Sequence, residues 1–256
     1  MKVCVDVGNS AIKIGFYETT KLVKKVILNT ENKPSSEFEN SLYFILKKDN
    51  FVVPTVTGII YSSVVPCVDD SLKTAICNVC KCSVIVVLNA KTKFNLKLNV
   101  KKPDEVGSDL IADLVGVKNK FHGPCLVIDF GTATKILYLD ASDTFQTCAF
   151  MPGLSTCARA LSSKAALLPD VDYSKLTNII EAKETDQAMA NGLIYGHIDA
   201  VVGIVNRMED ELNIPLRKVF TGGIAKHLKD LLPSEFEYEE NLNLDGLISI
   251  LNENER

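Results

Sequence analysis

Two stretches of the chain end an apolar run with an acid followed by a glycine. "VCVDVGNSAIKIGFY" passes through Asp6 and Gly8, and "CLVIDFGTATKILYL" passes through Asp129 and Gly131. Both share one design: an apolar strand, Asp, any residue, Gly, a small polar residue, and a second apolar strand. The glycine lets the backbone turn and be approached closely, amides in the turn can face phosphate oxygens, and the acid can hold a hydrated Mg2+. A single Asp-x-Gly turn is also a common way to close a plain β-hairpin. Two copies, each with an amide or hydroxyl donor directly after the glycine (Asn9 and Thr132), favour phosphate binding. Late in the chain "TGGIAKHL" sets Gly222 and Gly223 between an apolar strand and a helical pattern, while neither GxxxxGK[ST] nor GxGxxG after a strand occurs.

The elements that must carry these turns follow from periodicity. "KVCVDVG", "AIKIGFYE" and "KLVKKVIL" read as three short strands of a meander. "SSEFENSLYFILKKDN" has Phe38, Leu42, Phe44 and Ile45 at helical spacing, and "VTGIIYSSVVP" reads as a buried strand ending at Pro66. "DDSLKTAICNVCK" reads as a helix and "SVIVVLN" as another buried strand. "GSDLIADLVGVKNKF" predicts a helix N-capped by Ser108, with Leu110, Ile111, Leu114 and Val115 on its apolar side and Asp109 in its first turn. After "HGPC" the strand, acid and glycine pattern begins again. The repeat at about half the chain length argues for two similar α/β halves, residues 1–121 and 122–256. The second continues with "GLSTCARALSSKAALLP" and "AMANGLIYGHIDAVVGIVNRMEDEL" as helices, then strand, glycine turn and helix in "KVFTGGIAKHLKDLLP".

Bulk composition narrows the partners. With 256 residues, 46% apolar and 23% charged, the chain can bury a sizeable core, and a net charge of −4 offers no overall basic field for nucleic acid or anionic lipid. No signal-like region precedes Asp6 and no apolar run approaches the roughly 18 residues of a membrane span, so a cytoplasmic protein is expected. The eight cysteines are then expected as reduced thiols. Cys67, Cys77, Cys80 and Cys82 could in principle hold a metal, but the x2 spacing occurs only once. His122, His197 and His227 are scattered singly and read as packing or surface residues. Gly192 and Gly196 punctuate the long helix at i, i+4, as close packing against a neighbouring helix requires, and "NENER" reads as a solvated tail.

The order of motifs resembles the type III pantothenate kinase family of the actin-like ATPase and sugar kinase superfamily. The family's Asp-x-Gly-Asn-Thr appears as "DVGNS", its Gly-x-Asp-Arg as "GSDL", its Asp-x-Gly-Thr-Ala as "DFGTA", its Pro-Gly-Leu as "PGL" and its Thr-Gly-Gly as "TGG". The resemblance implies two ribonuclease H-like halves with mixed sheets flanked by helices, and ATP-dependent phosphorylation of pantothenate in coenzyme A biosynthesis. It implies that Asp6, Gly8, Asn9, Ser10 and Lys13 form the first phosphate turn, with Asp6 near Mg2+. Thr132 would belong to the second turn, and Gly222 and Gly223 would lie near the adenosine. Gly107, Ser108, Asp109 and Leu110 would meet the substrate, with Asp109 as general base, and Thr185 would contact pantothenate. Asp129 would bind a monovalent cation, K+ or ammonium, and the protein would be a homodimer.

The sequence also departs from the family's pattern. Leu110 stands where the Gly-x-Asp-Arg arginine belongs, so an apolar side chain replaces a guanidinium that could clamp an anion. Val100 replaces a substrate-contacting tyrosine, Thr147 and Cys148 occupy the usual Gly-Gly, and Ala165 replaces a threonine. Three readings stay open. Lys135, Arg159 or Lys164 supplies the missing charge; or a different hydroxylated substrate is phosphorylated; or the protein is a non-catalytic nucleotide-binding relative.

Overall fold

The computed structural model describes residues 1–89, 91–164 and 171–254. The chain divides into two compact units, Met1–His122 with Asn241–Arg256, and Gly123–Glu240.

The first unit opens with β1 (Lys2–Val7), β2 (Ala11–Glu18) and β3 (Lys21–Asn29), an antiparallel meander as the alternation predicts. Helix α1 (Ser35–Lys48) buries Phe38, Leu42 and Leu46, a strict i, i+4 stripe; Phe44, expected on that face, is 70% exposed. Strand β4 (Gly58–Ser63) lies parallel to β1, and its chain leaves the sheet three residues before Pro66. Pro66 instead opens helix α2 (Pro66–Cys80), a position where the missing N–H costs nothing. Strand β5 (Ile85–Val87) pairs parallel with β4, giving the order β3-β2-β1-β4-β5. After the short β6 (Lys97–Leu98), α3 (Ser108–Phe121) buries Leu110 to Val117 without interruption.

Cys67 and Cys80 lie at opposite ends of the same helix, a separation of about 20 Å at 1.5 Å per residue. They cannot share a metal, and among the described residues no group of three or more His, Cys, Asp or Glu side chains could hold one.

The second unit repeats the plan. Strands β7 (Cys125–Phe130), β8 (Ala133–Leu139) and β9 (Thr144–Pro152) form a second meander. After α4 (Leu154–Lys164) and α5 (Thr185–Leu212), strand β10 (Arg217–Thr221) joins β7 in parallel, α6 (Ala225–Leu228) follows, and β11 (Phe236–Tyr238) joins β10 in parallel. In each unit the first strand therefore has an antiparallel hairpin partner on one side and a parallel strand on the other. Helix α5 is long and apolar enough by composition to cross a membrane, but Ile194, Ile198, Val201 and Val205 on it belong to the core of this unit, with the buried polar residues Asn191 and His197 on the same helix.

Helix α7 (Leu242–Asn254) returns to the first unit, whereas the halves expected from sequence assign it to the second. Two glycines permit its approach to α3. A Cβ on Gly246 would lie 1.8 Å from the Ala112 carbonyl oxygen, and one on Gly116 would lie 2.3 Å from that of Leu242. The expected solvated tail is helical as far as Asn254, whose Nδ2 donates to the Lys93 carbonyl at 2.8 Å.

Candidate functional site

In the first unit the catalytic candidates gather where β1, β4 and α3 meet. The hairpin register sets Asp6 on β1 opposite Lys13 on β2, with Lys13 Nζ 3.6 Å from Asp6 Oδ2. The turn between them is closed by the Gly8 N–H donating to the Ala11 carbonyl at 3.1 Å, and the Thr30 hydroxyl donates to the Gly8 carbonyl at 2.6 Å. Asn9 and Ser10 are exposed at its tip. The Asp6 side chain is only 8% exposed and that of Lys13 30%, so an acid suited to a hydrated cation and an ammonium suited to a phosphate oxygen stand side by side.

On the other side of Asp6 the parallel register places Ser62, at the end of β4. Ser62 is fully buried, and its hydroxyl donates to Ser108 Oγ at 2.8 Å. Ser108 was expected to cap α3, but the capping position falls on Gly107, and Ser108, first in the helix, ties its head to the sheet. Asp109 follows, partly exposed, with Oδ1 accepting from the Leu110 N–H at 3.0 Å. A side chain at Gly107 would put its Cβ 2.6 Å from that oxygen. Glycine is therefore what lets the Asp109 carboxylate fold back over the start of the helix. From behind, Asn243 Nδ2 on α7 donates to the Asp109 carbonyl at 3.2 Å.

Leu110 is 8% exposed, so the residue that replaces a family arginine is packed into the fold. Val100 is partly buried in the preceding segment.

In the second unit, β7 and β8 set Asp129 opposite Lys135, the counterpart of Asp6 and Lys13. This pair is tight: Lys135 Nζ lies 2.7 Å from Asp129 Oδ2, with side chains 11% and 15% exposed. The donor set does not fit a further monovalent cation at Asp129, because the carboxylate already meets an ammonium at that distance and a second cation would be repelled. Lys135 is thus paired with Asp129. Of the other two candidates for the missing charge, Arg159 is exposed on α4, while the side chain of Lys164, like Ala165, lies outside the described residues.

The Gly131–Thr132 turn is braced by the Pro-Gly-Leu segment. Gly153 N–H donates to the Thr132 carbonyl at 3.0 Å, as does the Thr156 hydroxyl at 2.8 Å. A Cβ on Gly153 would come within 2.1 Å of the Gly131 carbonyl oxygen, so only glycine permits this contact. Thr147 and Cys148 lie on β9, Thr147 exposed and the Cys148 thiol pushed up by partial burial.

Thr221 ends β10 beside Asp129, and Gly222 turns the chain at φ 113°, where a Cβ would strike the Phe130 backbone at 2.5 Å. Gly223 has open space above its Cα. Thr185 stands exposed at the first turn of α5, behind a capping box of Glu184 and Gln187.

Of the histidines, His227 is exposed, while His122 ends α3 with φ 60°. His197 is buried with Nε2 2.9 Å from Thr134 Oγ1, and burial lowers its pKa.

Sequence reasoning missed Ser62 and Asn243. The serine pair closing the otherwise apolar "GIIYSS" was a usable signal for Ser62; Asn243 reaches Asp109 only through the return of α7 and left none.

Residues 2–207 match the family model described as type III pantothenate kinase. A Listeria monocytogenes protein named type III pantothenate kinase is 32% identical over 248 residues, covering 96% of this chain and 95% of its own. One of the same name from Shouchella clausii is 30% identical over 258 residues, the full length of both. Among solved structures, the activator of the 2-hydroxyisocaproyl-CoA dehydratase from Clostridium difficile with bound ADPNP aligns with a TM-score of 0.55 at 11% identity, covering 99% of this chain and 95% of that one. It shares the fold, that of actin-like ATPases and sugar kinases. A family match that runs through both compact units, with relatives aligned almost from end to end, leaves one assignment: the chain belongs to the type III pantothenate kinase family.

Proposed function

We propose that this protein transfers the γ-phosphate of ATP to the hydroxyl of pantothenate, giving 4'-phosphopantothenate for coenzyme A biosynthesis. The observation that carries the reading is that Ser62, the register partner of Asp6, hydrogen-bonds Ser108 and so holds the head of α3, where Asp109 lies, beside the strand ends that form the first turn. Phosphoryl transfer asks little covalent chemistry of the protein; it asks for positioning, charge stabilisation and an acceptor for the hydroxyl proton. Asp109 receives that proton. The Gly8 to Ser10 turn and the Lys13 ammonium are suited to phosphate oxygens, and in the second unit the Thr132 turn and the Gly222–Gly223 turn are likewise suited to close approach by a nucleotide. Mg2+, when bound, neutralises charge on the polyphosphate, and Asp6 is the residue suited to hold it. Gly107 and Ser108 shape the approach of pantothenate to Asp109, and Thr185 contacts it.

We further read the protein as a cytoplasmic homodimer. Gly192 and Gly196 were expected to pack against a neighbouring helix, yet a Cβ on either meets nothing within 4 Å, and Gly203 continues the same open helix. A second copy of the chain is the partner this surface suits.

Leu110 and Val100 favour testing a second acceptor alongside pantothenate. ATP consumption by purified protein with Mg2+ is measured with pantothenate and with a panel of other small alcohols. Pantothenate-dependent turnover is expected. Turnover only with another alcohol replaces the substrate, and ADPNP binding without any turnover replaces the enzyme by a binding module.

A further inference from the structure

The two hairpins carry the same pair of residues in corresponding register and use it differently. In the first unit Lys13 stands 3.6 Å from Asp6 with its side chain 30% exposed. In the second, Lys135 has closed on Asp129 to 2.7 Å, and both side chains are nearly covered. Asp129 also borders the turn itself: a Cβ on Gly131 would touch its two carboxylate oxygens at 3.5 and 3.6 Å. The ammonium therefore sits one carboxylate away from the backbone that would meet phosphate. A lysine ammonium is a compact point charge with three N–H donors, chemically a tethered ammonium ion. Held at hydrogen-bond distance by a carboxylate with little solvent access, it places one positive charge where a dissociable cation would otherwise be needed to neutralise the acid.

We infer that Lys135 takes the place of a dissociable monovalent cation at Asp129, so that the second phosphate turn carries its own fixed cation and works without K+ or ammonium. The inference rests on the reading of these turns as a nucleotide site. The covered Asp129 carboxylate requires a positive partner, because an ionised acid at such low exposure is costly when alone. A soluble cation would meet that need only at sufficient concentration, whereas a residue of the chain meets it always. Nucleotide affinity in this protein then has no reason to follow the alkali cation in the buffer.

The test uses the full chain and two readouts. Calorimetric titration of Mg2+-ADPNP and pantothenate-dependent ATP turnover are each measured in K+, ammonium, Na+ and tetramethylammonium at constant ionic strength. The wild type is expected to vary less than twofold across the four in both. Lys135→Ala is expected to lose at least tenfold in ADPNP affinity in tetramethylammonium, to regain most of it in K+ or ammonium, and to show a thermal midpoint raised by K+ where the wild type does not. A tenfold dependence of wild-type ADPNP affinity on K+ overturns the inference, as does a folded Lys135→Ala variant that no monovalent cation rescues or that binds as the wild type does. The wild-type arm decides even if the variant does not fold. Because ADPNP binding needs no acceptor, absence of pantothenate turnover would count against the kinase reading and leave the cation result standing.

Discussion

Asp109 is the proposed base, and Gly107, two residues before it, leaves the room its carboxylate occupies. Replacing Asp109 by Asn keeps the shape and removes the proposed proton acceptor, so turnover is expected to fall by about 10²- to 10⁴-fold with Mg2+-ADPNP affinity nearly unchanged. Near-normal turnover in Asp109→Asn would remove it as the base. Gly107→Ala tests position rather than chemistry. The Gly107 φ of −58° is open to alanine, so the fold should tolerate it, but the new Cβ would lie 2.6 Å from Asp109 Oδ1 and displace the carboxylate. A loss of about 10²-fold in kcat with an unaltered thermal midpoint is expected, since misplacement of about 1 Å costs that much. His197 gives a prediction in pH. Burial lowers its pKa, so the folded protein keeps it neutral, and its contribution to stability is present above its ordinary pKa and lost as pH falls through the lowered one. The thermal midpoint should fall on acidification from pH 7.5 to 5, and His197→Gln should fall less steeply over the same range.

At the scale of elements, the helix pair α3 and α7 carries the proposed base. Gly246 on α7 faces the Ala112 carbonyl so closely that Gly246→Ala must push the helices apart; the backbone cannot turn aside as a flexible side chain would. Overpacking of this kind costs about 3 kcal/mol, or roughly 10 °C in midpoint for a chain of this size. Differential scanning fluorimetry measures the shift, and a variant as stable as the wild type would mean that α7 does not sit where the structure has it. The hairpins themselves were legible in the sequence, because strand alternation, acid and glycine all lie within fifteen consecutive residues. On α1 the pattern points Phe44 inward where the structure buries Leu46, since both are apolar and only the packing beneath decides between them. Ser62, Asn243 and the return of α7 were not legible, because each acts through a partner dozens of residues away. The Asp129 and Lys135 pair lay between: a cross-strand register could be counted from the turn, but not how tightly it closes.

At the scale of the molecule, the first unit contains both ends of the described chain, and the second, Gly123–Glu240, is a continuous segment inserted between them. Its core is its own: Leu126, Ile128 and Phe130 of β7 pack with Ile194, Ile198 and Val201 of α5 and Phe220 of β10. The first unit depends on α7, whose Leu242, Leu244, Leu247, Ile248, Ile250 and Leu251 are each at most 2% exposed. At about 2 kcal/mol for each such side chain, their loss rivals the roughly 5–15 kcal/mol that holds a typical domain together. A chain truncated after Glu240 is therefore expected to lose the cooperative unfolding of the first unit while the second keeps its own. Residues 123–240 alone should give a dispersed amide spectrum, and residues 1–122 alone should not. Joining residue 122 to residue 241 through a short flexible linker should restore the first unit, because it returns α7 to α3 without the insertion. If residues 1–122 fold alone as stably as the linked form, α7 is an accessory to the first unit and Asp109 owes its position to the sheet and Ser62 alone.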